Sequence, residues 1–377
     1  MRFHVLGVPH TISSKEFVSC AFTQKVVKFC EMMKARGHTI IHYGHQDSKV
    51  DCDEHVNVLS SVAWNQCYGN YDWKTTNFKY DVNDSAYKIF IQNAIKQIKK
   101  RKKPNDFLLP FWGHPMKEIC DAHSDMIVVE PGIGYAWGHF APYKVFESYA
   151  MHSAYYGLES VKVCNQKFYD TVIPNYFNLD DFKYTTKKEN YFLYLGRVYD
   201  GKGLNIAIQA TQQIGATLVI AGQGSLKDMG YENKPPHVLE FGFADVEARK
   251  NLMSKAKGAF VASLYNEPFA GVQIECMLSG TPVISTDWGA LAELNLHGHT
   301  GYRCRTFEHF VWAAKNIENI KPKDCRRWGE NFSYDKVGAM YEEYFGSLIN
   351  IHTNNGWYQL NNERVELDWL KRNYPTK

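Results

Sequence analysis

Short apolar runs alternate along the chain with stretches in which apolar residues recur every three or four positions. The runs at 3–7, 38–43, 56–59, 107–109 and 126–129 predict strands. Those at 107–109 and 126–129 are wholly apolar, as parallel strands covered on both faces tend to be. Helical spacing runs through 22–35 and stops at Gly37, a residue suited to the left-handed position that ends a helix. The pattern restarts after about residue 185. Strands are predicted at 191–195, 217–221, 238–241, 259–262 and 282–285, with helices at 204–214, 246–257 and 271–279 between them. Alternating strands and helices predict βαβ units and parallel sheets.

Two such series in 377 residues predict two doubly wound α/β domains. The polar, charged stretch 180–190 is the predicted linker. The end of the chain reads differently. Residues 334–348 form an aromatic-rich amphipathic pattern, and the tail to Lys377 carries Trp357, Tyr358, Trp369 and Tyr374, which suits docking on a surface. The expected division is an N-terminal domain over 1–175, with 335–377 packing back on it, and a C-terminal domain over 176–334.

Composition narrows the class. A 45% hydrophobic content excludes global disorder. No stretch approaches the roughly 18–20 apolar residues of a membrane helix. The first apolar run meets Pro9 and His10 too early for a secretory leader, so a cytoplasmic location is expected. The nine cysteines are odd in number and form no CxxC, which argues for free buried thiols and against a disulfide framework or a cysteine zinc site. The net charge of +3 does not by itself imply a nucleic-acid partner.

Two facing α/β domains place a cleft at the carboxyl ends of their strands, where helix N-termini receive ligands. In the second domain a strand ends at Leu195 and a helix starts near Leu204. Gly196, Arg197, Lys202 and Gly203 lie between, so two cations and a helix N-terminus make an anion site suited to a diphosphate. A solvated loop with surface charges is equally open. Further on, Glu267 follows a strand, Ala270, Gly271 and Val272 open a helix with free amides, and Glu275 lies about one turn inside. A carboxylate there can accept hydrogen bonds from the vicinal hydroxyls of a ribose. Acidic residues complementing a helix dipole are the plainer reading of either glutamate alone.

Taken in order, these segments resemble the retaining nucleotide-sugar glycosyltransferases of glycosyltransferase family 4, which have the GT-B architecture. The resemblance covers most of the chain and is strongest over 172–305. Ile173, Pro174, Asn175, Asp181 and Phe182 are similar to the family's interdomain segment. Gly196 and Arg197 with Lys202 and Gly203 resemble its GR…KG signature, and Glu267 with Glu275 its pair of glutamates eight positions apart. Gly280 to Val283, Gly289 and Glu293 resemble the stretch that follows.

The resemblance implies that a hexose, glucose first among candidates, passes from a nucleotide-sugar, a UDP-sugar, to a hydroxyl on a glycan, lipid or polymer. It implies that Arg197 and Lys202 neutralise the donor diphosphate, that Glu275 holds the ribose and that Glu267 touches the transferred sugar. The amides of Ala270, Gly271 and Val272, beside Phe269, would hold the distal phosphate, and Gly242 and Phe243 would pack the base. Neither metal nor cofactor is implied, because fixed cations and amides stabilise the leaving diphosphate.

The chain also departs from the family. Gly7, Val8 and Pro9 stand where a glycine pair is common, which makes His10 an acceptor-side candidate. A histidine often follows the fifth strand near the sugar. Here Val129 is followed by Glu130, and Trp137 and His139 come later, so Glu130 and His139 are catalytic candidates and Trp137 an acceptor-side one.

Three weaker signals remain. The basic run from Lys96 to Lys103 reads as a helix end complementing its dipole, or as a patch for DNA or an anionic membrane. With the aromatic stretch 64–80, which could stack sugars or bases, it supports an alternative: a phage-type enzyme glycosylating a hydroxylated nucleobase in an infected cell. His42, His45 and 51–55 contain metal-capable residues that fit a solvated loop better. A nucleotide-sugar binding or epimerising protein without transfer is the alternative outside the class.

Overall fold

The computed structural model describes residues 1–353, apart from 70, 75, 77, 136 and 160–166. The N-terminal lobe runs β1 (Arg2–Leu6), α1 (Ala21–Ala35), β2 (Thr39–His45), β3 (Glu54–Leu59), α2 (Ser61–Tyr68), α3 (Ser85–Lys99), β4 (Phe107–Pro110), α4 (Lys117–Asp121), β5 (Ile127–Ile133), β6 (Tyr143–Phe146), α5 (Tyr149–Glu159) and β7 (Thr171–Val172). Its sheet is ordered β3-β2-β1-β4-β5-β6-β7, every neighbouring pair parallel.

The C-terminal lobe runs β8 (Tyr191–Leu195), α6 (Leu204–Gln213), β9 (Thr217–Ala221), β10 (Val238–Gly242), α7 (Val246–Lys255), β11 (Gly258–Val261), α8 (Gly271–Leu278), β12 (Val283–Thr286), α9 (Gly289–Leu294) and β13 (Gly301–Cys304). Three helices follow: α10 (Phe307–Lys315), α11 (Pro322–Gly329) and α12 (Tyr334–Thr353). This second sheet is parallel in the order β10-β9-β8-β11-β12-β13. The strand order reverses between β8 and β11. That switch point opens a crevice beyond their carboxyl ends, where α/β sheets bind ligands.

The chain changes lobes at one peptide. Tyr176 packs in the N-terminal core and Phe177 in the C-terminal one. The return crossing lies alongside: Phe177 N donates to Phe332 O (2.9 Å) and Tyr334 N to Phe177 O (3.1 Å). Helix α12 then buries Val337, Tyr341, Tyr344, Phe345 and Leu348 in the N-terminal core. The Phe345 ring lies 4.8 Å from those of Phe3 and Phe107. Residues 354–377, with Trp357, Tyr358, Trp369 and Tyr374, lie outside the described residues.

The stretch 180–190 is not a linker, and its charge has another cause. The Lys188 ammonium donates to Ser254 O (2.7 Å), Ser279 O (3.2 Å) and Thr281 Oγ1 (2.9 Å), and Glu189 N donates to Lys255 O (2.7 Å). These donors satisfy carbonyls at the ends of α7 and α8, which helix geometry leaves without partners.

The aromatic stretch 64–80 begins inside helix α2, which is capped by Ser60 Oγ on Ala63 N (3.2 Å) and ends at Gly69. Strands β6, β7 and β13 carry weak patterns. β6 has Lys144 in its middle, β7 is two residues long and β13 contains Arg303. Of the basic run, Lys96 and Lys99 occupy the last turn of α3, Arg101 pairs with Glu54 (2.8 Å) and Lys102 with Asp125 (2.5 Å). The described cysteines are free thiols. Among the described residues, no helix is long and apolar enough to cross a membrane.

Candidate active site

A cavity of about 480 Å³ lies in the cleft between the lobes. Its C-terminal wall is built from the loops after β8 and β11. The first loop turns back tightly because two glycines allow close backbone contact. A Cβ on Gly203 (φ +67°) would fall 2.0 Å from Ala262 O, and one on Gly222 would fall 1.9 Å from Gly196 O. Gly196, Arg197 and Lys202 thus line the cavity at the switch point. Arg197 is exposed, its guanidinium 5.9 Å from the Tyr199 ring centroid. Lys202 is paired with Glu267, which is buried and also accepts from Ser263 Oγ (2.6 Å).

The second loop enters α8 through Ala270, whose φ of 59° and ψ of 65° are left-handed. Such a conformation costs an alanine about 1–2 kcal/mol. It sets the N-terminus of α8 against the cavity, so Ala270, Gly271 and Val272 line it with amides that have no partner within the helix. One turn further, Glu275 Oε2 accepts from Arg249 Nη2 (2.5 Å). Burial works to raise the Glu275 pKa, but Arg249 and then Lys28 hold it below the ordinary carboxylate range.

The N-terminal wall is different. Helix α1 projects Lys25 and Lys28, one turn apart, into the cleft. Lys28 lies 4.3 Å over the Phe177 ring, and burial lowers its pKa while Glu275 and Asp181 raise it. Lys25 donates to Gly132 O (2.9 Å) and pairs with Glu147 at the end of β6; burial pulls its pKa down to about 7. Asn175 Nδ2 donates to the other Glu147 oxygen (2.9 Å). Five cationic side chains and three carboxylates line the cavity, an excess of two positive charges. Such a surface suits a diphosphate ester.

Of the expected donor-side residues, Gly196, Arg197, Lys202, Phe243, Glu267, Phe269, Ala270, Gly271, Val272 and Glu275 line this one cavity. Gly242 does not; its carbonyl accepts from Gly222 N (2.8 Å).

None of the candidates Glu130, His139, His10 and Trp137 lines this cavity. Glu130 is buried. Its oxygens accept from Tyr135 Oη (2.8 Å) and from the amides of Phe140 and Ala141 (3.0 Å each). His139 bonds the Tyr135 carbonyl (2.9 Å) and stacks on that ring. His10 bonds Tyr87 Oη (2.7 Å) and stacks on Tyr80. Trp137 is 76% exposed. Glu130 and His139 hold their own loop together, and His10 ties the loop after β1 to α3.

The residues that do form this wall, Lys25 and Lys28 on α1, Glu147 after β6 and Asn175 before the lobe crossing, come from three places in the chain, and Arg249 faces them from α7 of the other lobe. Two lysines spaced three apart on the buried side of α1 were the available signal. Among the described residues, no group of His, Cys, Asp and Glu is placed to hold a metal ion.

The two lobes, their parallel sheets and the switch-point cleft between them define a GT-B fold. Residues 177–333 match the family model described as "Glycosyl transferases group 1", so the C-terminal lobe carries a domain of that kind. An uncharacterized glycosyltransferase of Methanocaldococcus jannaschii is 35% identical over 142 residues, covering 35% of this chain and 34% of that protein. The match thus spans about a third of that relative's length.

Among solved structures, a glycosyltransferase involved in avilamycin A biosynthesis superposes with a TM-score of 0.66 at 16% identity, covering 92% of this chain and 98% of the other. HepE of Anabaena, in complex with UDP and glucose, does so with a TM-score of 0.64 at 14% identity, covering 92% and 99%. At these identities the likeness is one of fold.

Proposed function

We propose that the protein is a retaining hexosyltransferase that moves glucose or a close relative from a UDP-sugar to a hydroxyl acceptor, without a metal ion. One observation carries the reading. Arg197, Lys202, Glu267, Glu275 and the α8 N-terminus arrive from separate segments and line a single cavity. The related HepE structure, which holds UDP and glucose, supports the choice of donor.

In this reading Glu275, fixed by Arg249, accepts the ribose hydroxyls while Phe243 packs the base. Arg197 and Lys202 meet the diphosphate as its bond to the sugar breaks, and the amides of Gly271 and Val272 take the distal phosphate. Donors aimed at charge that grows in the transition state stabilise it more than the ground state. Glu267, fixed by Lys202 and Ser263, faces the transferred sugar. The cations supply the charge neutralisation that a metal provides elsewhere, so full activity in EDTA is the expected outcome.

The test is calorimetric. Removing a hydrogen bond to a charged partner costs about 1.5–3 kcal/mol, so Glu275→Ala should weaken UDP binding roughly 10- to 150-fold. Unchanged affinity would count against the ribose assignment. Transfer is separated from mere binding by whether UDP release from UDP-glucose depends on an added hydroxyl compound.

A further inference from the structure

The N-terminal wall holds a buried ion pair that the donor-site reading leaves without a task. Glu147 is 3% exposed and Lys25 7%, yet both line the cavity. Three elements converge on the Glu147 carboxylate: Lys25 from α1, Asn175 from the segment before the lobe crossing, and Gly134 just past β5. A Cβ on Gly134 would fall 2.4 Å from Glu147 Oε1, so that carboxylate occupies the space a side chain at 134 would need. A buried ion pair is a poor way to glue elements together, because desolvation offsets most of its attraction and apolar residues pack at least as well. Held at the wall of a reaction cleft, the same pair is a fixed carboxylate with one ammonium and one amide setting its orientation.

We propose that Glu147 is the group that receives the acceptor hydroxyl, with Lys25 and Asn175 as its positioning residues. The inference rests on the donor-site reading above and names the acceptor class at that point as an uncharged alcohol. The hydroxyl donates a hydrogen bond to Glu147. As its oxygen bonds to the anomeric carbon, the bond from that carbon to the phosphate oxygen breaks and its electron pair leaves with UDP. The hydroxyl proton passes to Glu147 and from there to water when product departs. Lys25 on one oxygen and Asn175 Nδ2 on the other hold the carboxylate in place. The two walls thus divide the work: the C-terminal wall holds the nucleotide and diphosphate, and the N-terminal wall holds the nucleophile.

The test uses the full chain with UDP-glucose, and with water and then glycerol as the hydroxyl compound. Glu147→Gln should lower UDP release about 10²- to 10⁴-fold, the range of general-base contributions, while calorimetric affinity for UDP stays within twofold. Because Gln leaves Lys25 without its partner, the uncharged double variant Lys25→Met with Glu147→Gln is the control for folding. It should keep the wild-type melting temperature and show the same loss. UDP release within threefold of wild type in either variant overturns the proposal. So does a parallel fall in UDP affinity, which would make the pair structural. A wild-type chain that binds no UDP, or that releases none with either hydroxyl compound, overturns the donor-site reading instead, and this inference with it.

Discussion

The two walls of the cleft are built by different rules. The C-terminal wall is local. After β8 a turn that Gly203 permits brings Arg197 and Lys202 to the cavity, and after β11 a loop through left-handed Ala270 sets the N-terminus of α8 against it. Each working group lies within fifteen residues of its strand, so backbone geometry alone delivers Arg197, Lys202, Glu267 and Glu275 to one place. The N-terminal wall is tertiary. Lys25, Glu147 and Asn175 are far apart in sequence and meet only because α1, β6 and the lobe crossing pack together. Its α1 is held in turn by α12, which the chain supplies after completing the other lobe; Tyr341 and Phe345 both pack on Phe29. A site of the first kind can be moved between proteins as a segment. One of the second kind depends on the whole lobe.

The largest expected effect tests whether the local wall carries the charge chemistry. Removing one pre-placed donor from a developing oxyanion costs about 2.7–4 kcal/mol, or 10²- to 10³-fold in turnover. Arg197→Ala with Lys202→Met should therefore lower steady-state UDP release by at least the single-donor amount. Lys202 also compensates the buried Glu267, so its single variant should cost more than that of exposed Arg197. Wild-type turnover in the double variant would refute the diphosphate assignment. Equal single-variant losses would remove the Glu267 half of the argument.

The same contrast explains what the sequence shows and what it hides. Strands 191–195 and 217–221 are legible to the residue, because largely apolar runs closed by a glycine have few other solutions. The donor-side residues are legible because their spacing along one segment fixes their geometry. Glu130 and His139, by contrast, lie outside that cavity, and Glu130 accepts from two amides and a tyrosine hydroxyl of its own loop. Nothing local distinguishes such a glutamate from Glu147, whose role depends on α1 and Gly134. The stretch 180–190 fails similarly, since polarity records that Lys188 finds partners, not whether they are water or carbonyls.

A second prediction separates the walls by pH. In the N-terminal lobe, burial pulls His10 and His42 from 6.5 to about 3, with Asp84 opposing for His10 and His55 reinforcing for His42. Between those values the unfolded chain binds a proton that the folded lobe refuses. Stability is therefore lost as pH falls below about 6.5, at about 1.4 kcal/mol per unit for each group. At pH 5 that is about 2 kcal/mol each. Melting followed by hydrogen exchange should show the N-terminal sheet weakening from pH 7 to 5. His42→Asn should remove one histidine's share of that slope, about 1.4 kcal/mol per unit, while His4, His10, His38, His45, His55, His123 and His152, also lowered by burial, keep the rest. An unchanged slope in the variant would place the acid sensitivity elsewhere.

The smallest expected effect concerns how the two walls face each other. Glu293 on α9 accepts from Tyr149 N (3.0 Å) and Ala150 N (2.5 Å), the first amides of α5 in the other lobe. Burial raises its pKa while the Ala150 amide lowers it. A carboxylate at a helix N-terminus contributes about 0.3–1 kcal/mol, and loss of such a cap costs on the order of 1 kcal/mol. Glu293→Ala should thus lower overall stability by about 1 kcal/mol yet speed amide exchange at Tyr149 and Ala150 well beyond that of β1. Glu293→Gln, which keeps one acceptor, should fall between. The consequence for the cleft is larger than the stability change suggests. If this cap registers the lobes, Glu293→Ala should slow transfer while leaving UDP affinity, a property of the C-terminal wall, unchanged. Transfer and affinity falling together would mean that the walls are not separable, and the contrast between a local site and a tertiary one would not survive.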